Sequence, residues 1–379
     1  LAEAGGATAA VDRSKPDSYV LEMRLTIRVP KASQTLEEIG ANTPKLPHLL
    51  YGLPKMLETA QVSRAYETLY ANKLAWNRAR LTQLDELISR HNFFDCDTVL
   101  ELEHPGTGRK ALLGQGDMDV NTDGSDGDRN VTVDGSSPFF QPQTSYRWPK
   151  ASERANPFLP KAESRLRELK TESGKAPQIE NLQNQIRELK RFSFLVSDVD
   201  PFIVLPGFML RDSKGPFAPK LGDYAIVIYE NHLYPAILGD VGPSFKWGEA
   251  SMRLCRELDA KASANRRPVS SLQVTYLVFP GSADAAASPP DLNRWHEHCA
   301  SLLNEIGGSP VELHRWTDLV KPWPTPTPTP TPAPSPLPSP EASPAISPSA
   351  TPAVQPAPPA PSPPPAPQEL LATPPPAAN

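Results

Sequence analysis

The chain has 379 residues and a formal net charge of −5. Its length is enough for two or three domains. The lack of a basic stripe argues against a nucleic-acid-binding protein, and no apolar run is long enough to span a membrane. The three cysteines, Cys96, Cys255 and Cys299, show no zinc-type spacing. We therefore expect no metal and no cofactor. The three cysteines allow one disulfide and would leave one free thiol.

Both ends of the chain are predicted to be disordered. Residues 322–379 contain 24 of the 47 prolines, and repeated Thr-Pro and Ala-Pro pairs favour polyproline II and cannot form a core. We therefore expect residues 321–379 to be a tail that is inert, a spacer or a tether to a cell wall. Residues 1–18 are small and polar and offer little to bury.

The segment 19–94 is predicted to be a strand followed by a helical extension. Apolar and polar residues alternate over residues 21–29, as in a half-buried strand, and Pro30 ends this pattern. Over residues 54–90 the apolar positions take a helical spacing. We expect this extension to pack on the domain that follows it.

The segment 95–320 is rich in short apolar runs, which indicate a mainly β domain of the α+β class. Strands are predicted at residues 98–103, 110–114, 222–229, 233–238, 271–280 and 311–316. A helix is predicted at residues 292–306, where His296 and His298 are two positions apart and do not share a helix face. The charged segment 151–192 is predicted to be an insertion of two helices, at residues 163–170 and 178–192. We favour an insertion packed on its own domain; the alternatives are a helical hairpin that covers the barrel or one that pairs with a partner.

An Asp-rich block runs from Asp117 to Asp134. The spacing of Asp119, Asn121 and Asp123 matches the start of a calcium loop, but Asn130 occupies the twelfth position, where such a loop needs a bidentate Glu. The block therefore has two interpretations: a calcium site that lacks its usual twelfth ligand, or a solvated Asp/Gly turn that needs no ligand.

Two carboxylates stand out in the centre of the domain. Asp240 follows the second strand of a predicted hairpin, and Glu249 begins a helix predicted to start near Gly248. Carboxylates held on two rigid elements can flank a glycosidic bond for acid/base hydrolysis. The alternative is structural, because Asp is common in turns and Glu in first helical turns.

Several blocks carry a resemblance to a known family. They are Asp117–Gly124, Pro201–Pro206, which looks like a strand before the hairpin, Gly239–Pro243, Gly248–Ser251 and Val274–Ser282. Together they resemble the fungal-type chitosanases of glycoside hydrolase family 75, over roughly residues 95–285. The resemblance implies inverting endo-hydrolysis of chitosan by Asp240 and Glu249, and binding of the substrate's ammonium groups by Asp117, Asp119 and Asp123.

The chain departs from the family pattern in the Asp-rich block. Thr122 replaces a Cys, so a disulfide of fungal members is missing, and Asn121 replaces an Asp. The fold expected is a small closed six-stranded β-barrel of double-psi type with a helical extension and a helical insertion. The segment Asp240–Gly248 is also similar to lytic transglycosylases with such barrels. A peptidoglycan- or other glycan-cleaving enzyme is therefore an alternative, as is a non-catalytic glycan-binding wall protein.

The roles of the pair follow from their predicted positions. In a first helical turn the ionised form of Glu249 is favoured, which suggests Glu249 as base and Asp240 as acid; burial of Glu249 would reverse this. Trp247, Tyr224 and Tyr146 are candidates for stacking on sugar. Because the implied substrate is an external polymer and the chain begins at Leu1, we expect a secreted or periplasmic bacterial protein.

Overall fold

The computed structural model describes residues 2–3, 24–25, 29–80, 92–211 and 214–324. Within these ranges no helix is long and apolar enough to cross a membrane. Most of the predicted strand at residues 21–29, residues 81–91 of the helical extension and the tail from residue 325 lie outside the described residues.

The described residues form twelve strands and nine helices. The strands are β1 (Ala2–Glu3), β2 (Arg24–Leu25), β3 (Gln61–Val62), β4 (Cys96–Glu103), β5 (Lys110–Asn121), β6 (Arg147–Pro149), β7 (Phe192–Phe194), β8 (Phe202–Pro206), β9 (Tyr224–Tyr229), β10 (His232–Gly242), β11 (Glu249–Ser251) and β12 (Val269–Val278). The helices are α1 (Leu36–Asn42), α2 (Leu46–Leu49), α3 (Leu53–Leu57), α4 (Arg64–Ala79), α5 (Leu159–Leu169), α6 (Ala176–Arg191), α7 (Gly207–Arg211), α8 (Met252–Leu258) and α9 (Leu292–Glu305).

Six of these strands close a β-barrel. The order is β11-β8-β10-β9-β12-β5, and β5 pairs again with β11. The pairs β8–β10 and β5–β11 are parallel, whereas the other four pairs are antiparallel. Parallel neighbours need crossover connections, so the chain passes over the barrel between them. The closed barrel predicted from the sequence is confirmed.

Both faces of the barrel wall are covered, which explains the unbroken apolar run of β9. Ala225 and Val227 belong to one hydrophobic core, together with side chains of α4 and α8. Tyr224, Ile226 and Ile228 belong to a second core, together with side chains of α1–α3 and α9. Side chains of a strand alternate between its faces, so a strand buried on both faces is apolar at every position.

The N-terminal extension packs on the barrel as expected, but its helices are separate. Strand β3, which lies between α3 and α4 in the chain, pairs with β4. Tyr66, Leu69 and Tyr70 of α4 are buried in the first core. Ser63 caps α4, because its hydroxyl accepts a hydrogen bond from the amide of Ala65.

The predicted insertion is a helical hairpin with a small core of its own. Ala162 of α5 and Ile186 and Leu189 of α6 are buried together with Phe194 of β7. Strand β7 pairs with β6 at the base of the hairpin. The two helices of the insertion therefore pack on each other and on β7.

Two expectations near the end of the domain need correction, and one open question is answered. Residues 311–316 do not form a strand: Leu313 makes one isolated bridge with Leu233, and the indole of Trp316 donates to the carbonyl of Pro235 at 2.7 Å. The segment 321–324 contacts the folded domain, so the predicted tail boundary at residue 321 is too early. The three cysteines are free and buried, and the open disulfide is not formed.

Candidate active site

Asp240 and Glu249 lie on either side of strand β8. Asp240 is in register with Val204 in the parallel pair β10–β8, and Glu249 is in register with the same Val204 in the antiparallel pair β11–β8. Residues in register project to the same face of a sheet, and two strand spacings separate the two Cα atoms by roughly 10 Å. The barrel therefore brings the two candidate carboxyl groups to one face.

Asp240 lies inside a strand, which differs from the sequence expectation. Strand β10 continues to Gly242, past an irregularity between Leu238 and Asp240. Gly239 is required at this irregularity, because a Cβ there would come within 2.6 Å of Phe202. The irregularity sets Asp240 opposite Val204.

Glu249 begins a strand and not a helix. Helix α8 starts three residues later, with Ser251 as its N-cap. Gly248, at φ +77°, packs so closely on β5 that a Cβ would lie 2.3 Å from the carbonyl of Asp117. This contact places Glu249 in parallel register with Asp119. The helix-dipole argument for an ionised Glu249 is therefore wrong.

The carboxyl group of Asp240 is buried and hydrogen-bonded mainly at one oxygen. Its Oδ1 accepts from the amide of Ser145 at 2.9 Å, from the hydroxyl of Ser145 at 2.6 Å and from the amide of Val241 at 2.8 Å. Burial raises the pKa of Asp240, whereas these three donors oppose the rise by stabilising the anion.

The carboxyl group of Glu249 has a poorer hydrogen-bonding environment. Its Oε1 accepts from Asn121 Nδ2 at 2.9 Å. Burial, and next the charge of Asp240, raise the pKa of Glu249 to about 7, while Asn121 and Lys246 oppose the rise. Glu249 is thus able to carry a proton near neutral pH.

Asn121 joins a third carboxyl group to the pair. Its Nδ2 lies 3.3 Å from Asp123 Oδ2, and its side chain also opposes the rise in the pKa of Asp240. Burial, followed by the charge of Asp240, raises the pKa of Asp123 to about 8. In the sequence, Asn121 stands out only because it departs from an Asp-rich pattern. Nothing in the sequence indicates that Ser145 contacts Asp240.

Two of the aspartates expected to bind ammonium groups are already paired with cations. Asp117 is buried, with Oδ2 3.6 Å from Arg267 Nη1. Asp119 Oδ1 lies 3.0 Å from Arg267 Nε, and its Oδ2 lies 3.5 Å from Lys246 Nζ. The carboxylate of Asp117 is buried and paired with Arg267, so it is not accessible to a sugar. This corrects the prediction that Asp117 binds an ammonium group of the substrate. Asp119 keeps a partly exposed carboxyl group.

The rest of the Asp-rich block folds the chain locally. Asp126 Oδ2 pairs with Arg129 at 2.6 Å. Asp128 accepts hydrogen bonds from the amides of Ala151 and Ser152 and from the hydroxyl of Ser193. Among the described residues, no group of three His, Cys, Asp or Glu side chains is arranged to hold a metal ion.

Trp247 is a core residue, which corrects its prediction as a sugar platform. It is 3% exposed. Its indole fills a notch over two glycines, because a Cβ at Gly114 or Gly116 would lie 2.0 or 2.5 Å from the ring. Tyr276 packs against it edge to face at 6.1 Å. No face of the ring is open to a ligand.

The two candidate tyrosines are also packing residues. Tyr224 is 1% exposed, and its hydroxyl donates to Asp284 Oδ2 at 3.2 Å. Tyr146 is buried, and its hydroxyl lies 3.3 Å from the carbonyl of Ser288. Both rings are enclosed, so neither offers a stacking surface.

The family described as "Fungal chitosanase of glycosyl hydrolase group 75" matches residues 118–309. The chain belongs to this family. It is therefore a glycoside hydrolase from a family of chitosanases, and a polysaccharide is its substrate class. The matched residues include Asn121, Asp240 and Glu249. No curated protein sequence matches the chain.

Proposed function

We propose that this chitosanase-family protein is an endo-acting enzyme that cleaves β-1,4 linkages in chitosan with inversion of the anomeric centre. Asp240 and Glu249 are the proposed catalytic pair. The observation that carries the proposal is their shared register with Val204, which gives one face two carboxyl groups with unlike surroundings. Inverting glycosidases need such a pair, with one group protonated and one ionised.

Glu249 is the proposed general acid. Its pKa of about 7 keeps much of the group protonated at neutral pH. Asp240 is the proposed general base, because three donors at Oδ1 stabilise its anion against the rise in pKa that burial causes. These roles are the reverse of those suggested by a helical Glu249, because Glu249 lies partly buried on a strand, where no helix dipole favours its anion.

The proposed reaction is a single displacement. Glu249 gives its proton to the glycosidic oxygen as the bond to the anomeric carbon breaks. Asp240 accepts a proton from a water molecule, and the oxygen of that water forms the new bond from the opposite side of the sugar ring. Glu249 ends ionised and Asp240 ends protonated, and exchange of protons with solvent restores the pair.

The cationic character of chitosan suits the surroundings of the pair. Asp119, which is partly exposed in the strand beside Glu249, is the proposed contact for an ammonium group. Asp123, whose pKa of about 8 keeps it largely protonated at neutral pH, is the proposed hydrogen-bonding contact for the sugar. Exposed charge pairs are screened by salt, so substrate binding should weaken as ionic strength rises. A polymer substrate also supports the proposal that the protein acts outside the cell.

The experiment is a turnover assay on chitosan, chitin and peptidoglycan. Wild type should release reducing ends from chitosan, whereas Glu249→Gln and Asp240→Asn should lose at least a hundredfold. Glu297→Gln, an exposed Glu on α9, is the control. Proton NMR of the first product should show the inverted anomer.

Three results would contradict the proposal. A retained anomer would exclude the single displacement. Anhydro products from peptidoglycan, with chitosan uncut, would favour a lytic activity. Binding of chitosan without turnover would favour a non-catalytic glycan-binding protein.

A further inference from the structure

The loop of residues 243–248 connects Asp240 on β10 to Glu249 on β11. Helix α4 contacts this loop near its start. Asn72 Nδ2 donates to the carbonyl of Ser244 at 3.0 Å. Trp76 stacks on Phe245, with ring centroids 4.6 Å apart and planes inclined by 22°.

The same helix reaches the end of the loop through a buried ion pair. Lys73 Nζ lies 2.7 Å from Asp95 Oδ2, and the two side chains are 3% and 0% exposed. Asp95 Oδ2 also accepts a hydrogen bond from the backbone amide of Trp247 at 3.0 Å. A buried charge pair fixes geometry strongly, because displacing either partner leaves the other charge uncompensated.

The loop held in this way carries groups that act on Glu249. Lys246 lies 3.5 Å from Asp119 and opposes the rise in the pKa of Glu249. Gly248 sets the strand on which Glu249 lies, through its close contact with β5. A shift of the loop would therefore change both the position of Glu249 and its proton affinity.

We propose that α4 is a positioning element of the active site, with Asn72, Lys73 and Trp76 holding the loop of residues 243–248. This inference rests on the proposed function of Glu249. Helix α4 and Asp95 lie outside the residues 118–309 that match the family. The N-terminal extension therefore completes the catalytic domain of this chain by a contact that the matched region does not supply.

The test compares Asn72→Ala and Trp76→Ala with wild type in the full chain. Trp76→Phe is the rescue variant, because it keeps an aromatic face for Phe245. Arg78→Gln, at an exposed position of the same helix, is the matched control. The readouts are kcat, KM, the pH profile of kcat/KM on chitosan, and hydrogen exchange of the amides of residues 244–250.

We expect Trp76→Ala to lower kcat by about ten- to a hundredfold with little change in KM, as for a misplaced catalytic group. The alkaline limb of its pH profile of kcat/KM should move to higher pH, because Lys246 would no longer oppose the rise in the pKa of Glu249. Exchange at residues 244–250 should accelerate while exchange in β9 and β12 is unchanged. Trp76→Phe should restore most of each property, and Arg78→Gln should behave as wild type.

Two outcomes would overturn the inference. One is unchanged exchange at residues 244–250 in both alanine variants. The other is an equal acceleration of exchange in the loop and in β9 and β12, which would mean that α4 stabilises the whole barrel without positioning the loop. If wild type does not cleave chitosan, the exchange measurement still decides whether α4 holds the loop, so failure of the proposed function is distinguishable.

Discussion

Asn121 donates a hydrogen bond of 2.9 Å from Nδ2 to Oε1 of Glu249. The same side chain contacts Asp123 and opposes the rise in the pKa of Asp240, so one neutral amide acts on three acidic groups. An amide donor is neutral and relieves repulsion among carboxylates, whereas a fourth carboxylate would increase it. The replacement of an expected Asp by Asn121 therefore affects the proton affinity of the whole cluster.

We predict that Asn121→Asp raises the pKa of Glu249 above its value of about 7, because a donor is lost and a like charge is added. The alkaline limb of kcat/KM should move to higher pH by about one unit or more. The measurement is a pH profile on chitosan. Asn293→Asp, at an exposed site on α9, adds the same charge elsewhere and should leave the limb in place. An unmoved limb in Asn121→Asp would argue that Asn121 does not tune Glu249.

The assignment of acid and base predicts different rescue for the two variants. Glu249→Gln should retain far more activity on an oligosaccharide with an activated aryl leaving group than on chitosan, because such a leaving group needs no proton. Asp240→Asn should instead be rescued by a small anion such as azide, which replaces the activated water. The measurement is initial rate with each substrate and azide concentration. Azide rescue of Glu249→Gln, and none of Asp240→Asn, would reverse the roles.

The pH dependence of stability follows from the raised pKa of Glu249. The folded state holds this proton up to about pH 7, whereas the unfolded chain releases it near 4.5. The folded state therefore binds more protons between these values, and the free energy of unfolding falls as pH rises through that window. The side chain introduced by Glu249→Gln does not ionise. The free energy of unfolding of this variant at pH 8 should therefore exceed that of wild type by up to about 3 kcal/mol.

Thermal unfolding at pH 4 and pH 8 checks this linkage. The gain of Glu249→Gln over wild type should be several degrees at pH 8 and small at pH 4. Glu297→Gln should show no such difference. A gain that is equal at the two pH values would mean that ionisation of Glu249 is not its source.

The end of the folded domain gives a prediction about truncation. Trp323 Nε1 donates to the carbonyl of Asp128 at 2.7 Å, Arg154 lies 4.4 Å from the Trp323 ring centroid, and Asn130 Nδ2 donates to the carbonyl of Pro322 at 3.0 Å. A chain ending at Pro324 should keep its unfolding temperature and its turnover on soluble chitosan. A chain ending at Val320 should lose about 1 kcal/mol, because these contacts are removed. Loss of turnover in the chain ending at Pro324 would show that the tail takes part in the reaction.

The parts of the fold that sequence could predict are those with long local patterns. The hairpin of β9 and β10, strand β12 and helix α9 each have an apolar run or period that extends over their length. Strand β11 has three residues, which is too short for any period, so the local sequence places Glu249 in the helix that follows it. The pairing that makes it a strand comes from Asp119 and Val204, far away in the chain.

The site was predictable to the extent that its residues lie in the family's blocks. Asp240 and Glu249 were found in this way, but the surroundings that set their pKa values were not. Trp247 looks like a sugar platform in the sequence because nothing local reveals the notch made by Gly114 and Gly116. The partners of Asp117 and Asp119 include Arg267, which only the fold brings to them.

Strand β11 closes the barrel, since it bonds to β8 on one side and to β5 on the other. Its partner Asp119 is about 130 residues earlier in the chain than Glu249, and closing a loop of that length is slow because chain entropy opposes it. The hairpin of β9 and β10 has short-range contacts and can form first. Strand β12 pairs with β5 across a still longer stretch of chain, Val269 with Met118. On refolding from denaturant, most secondary structure should therefore return before catalytic competence does, because the pairings of β5 with β11 and β12 that close the barrel form late.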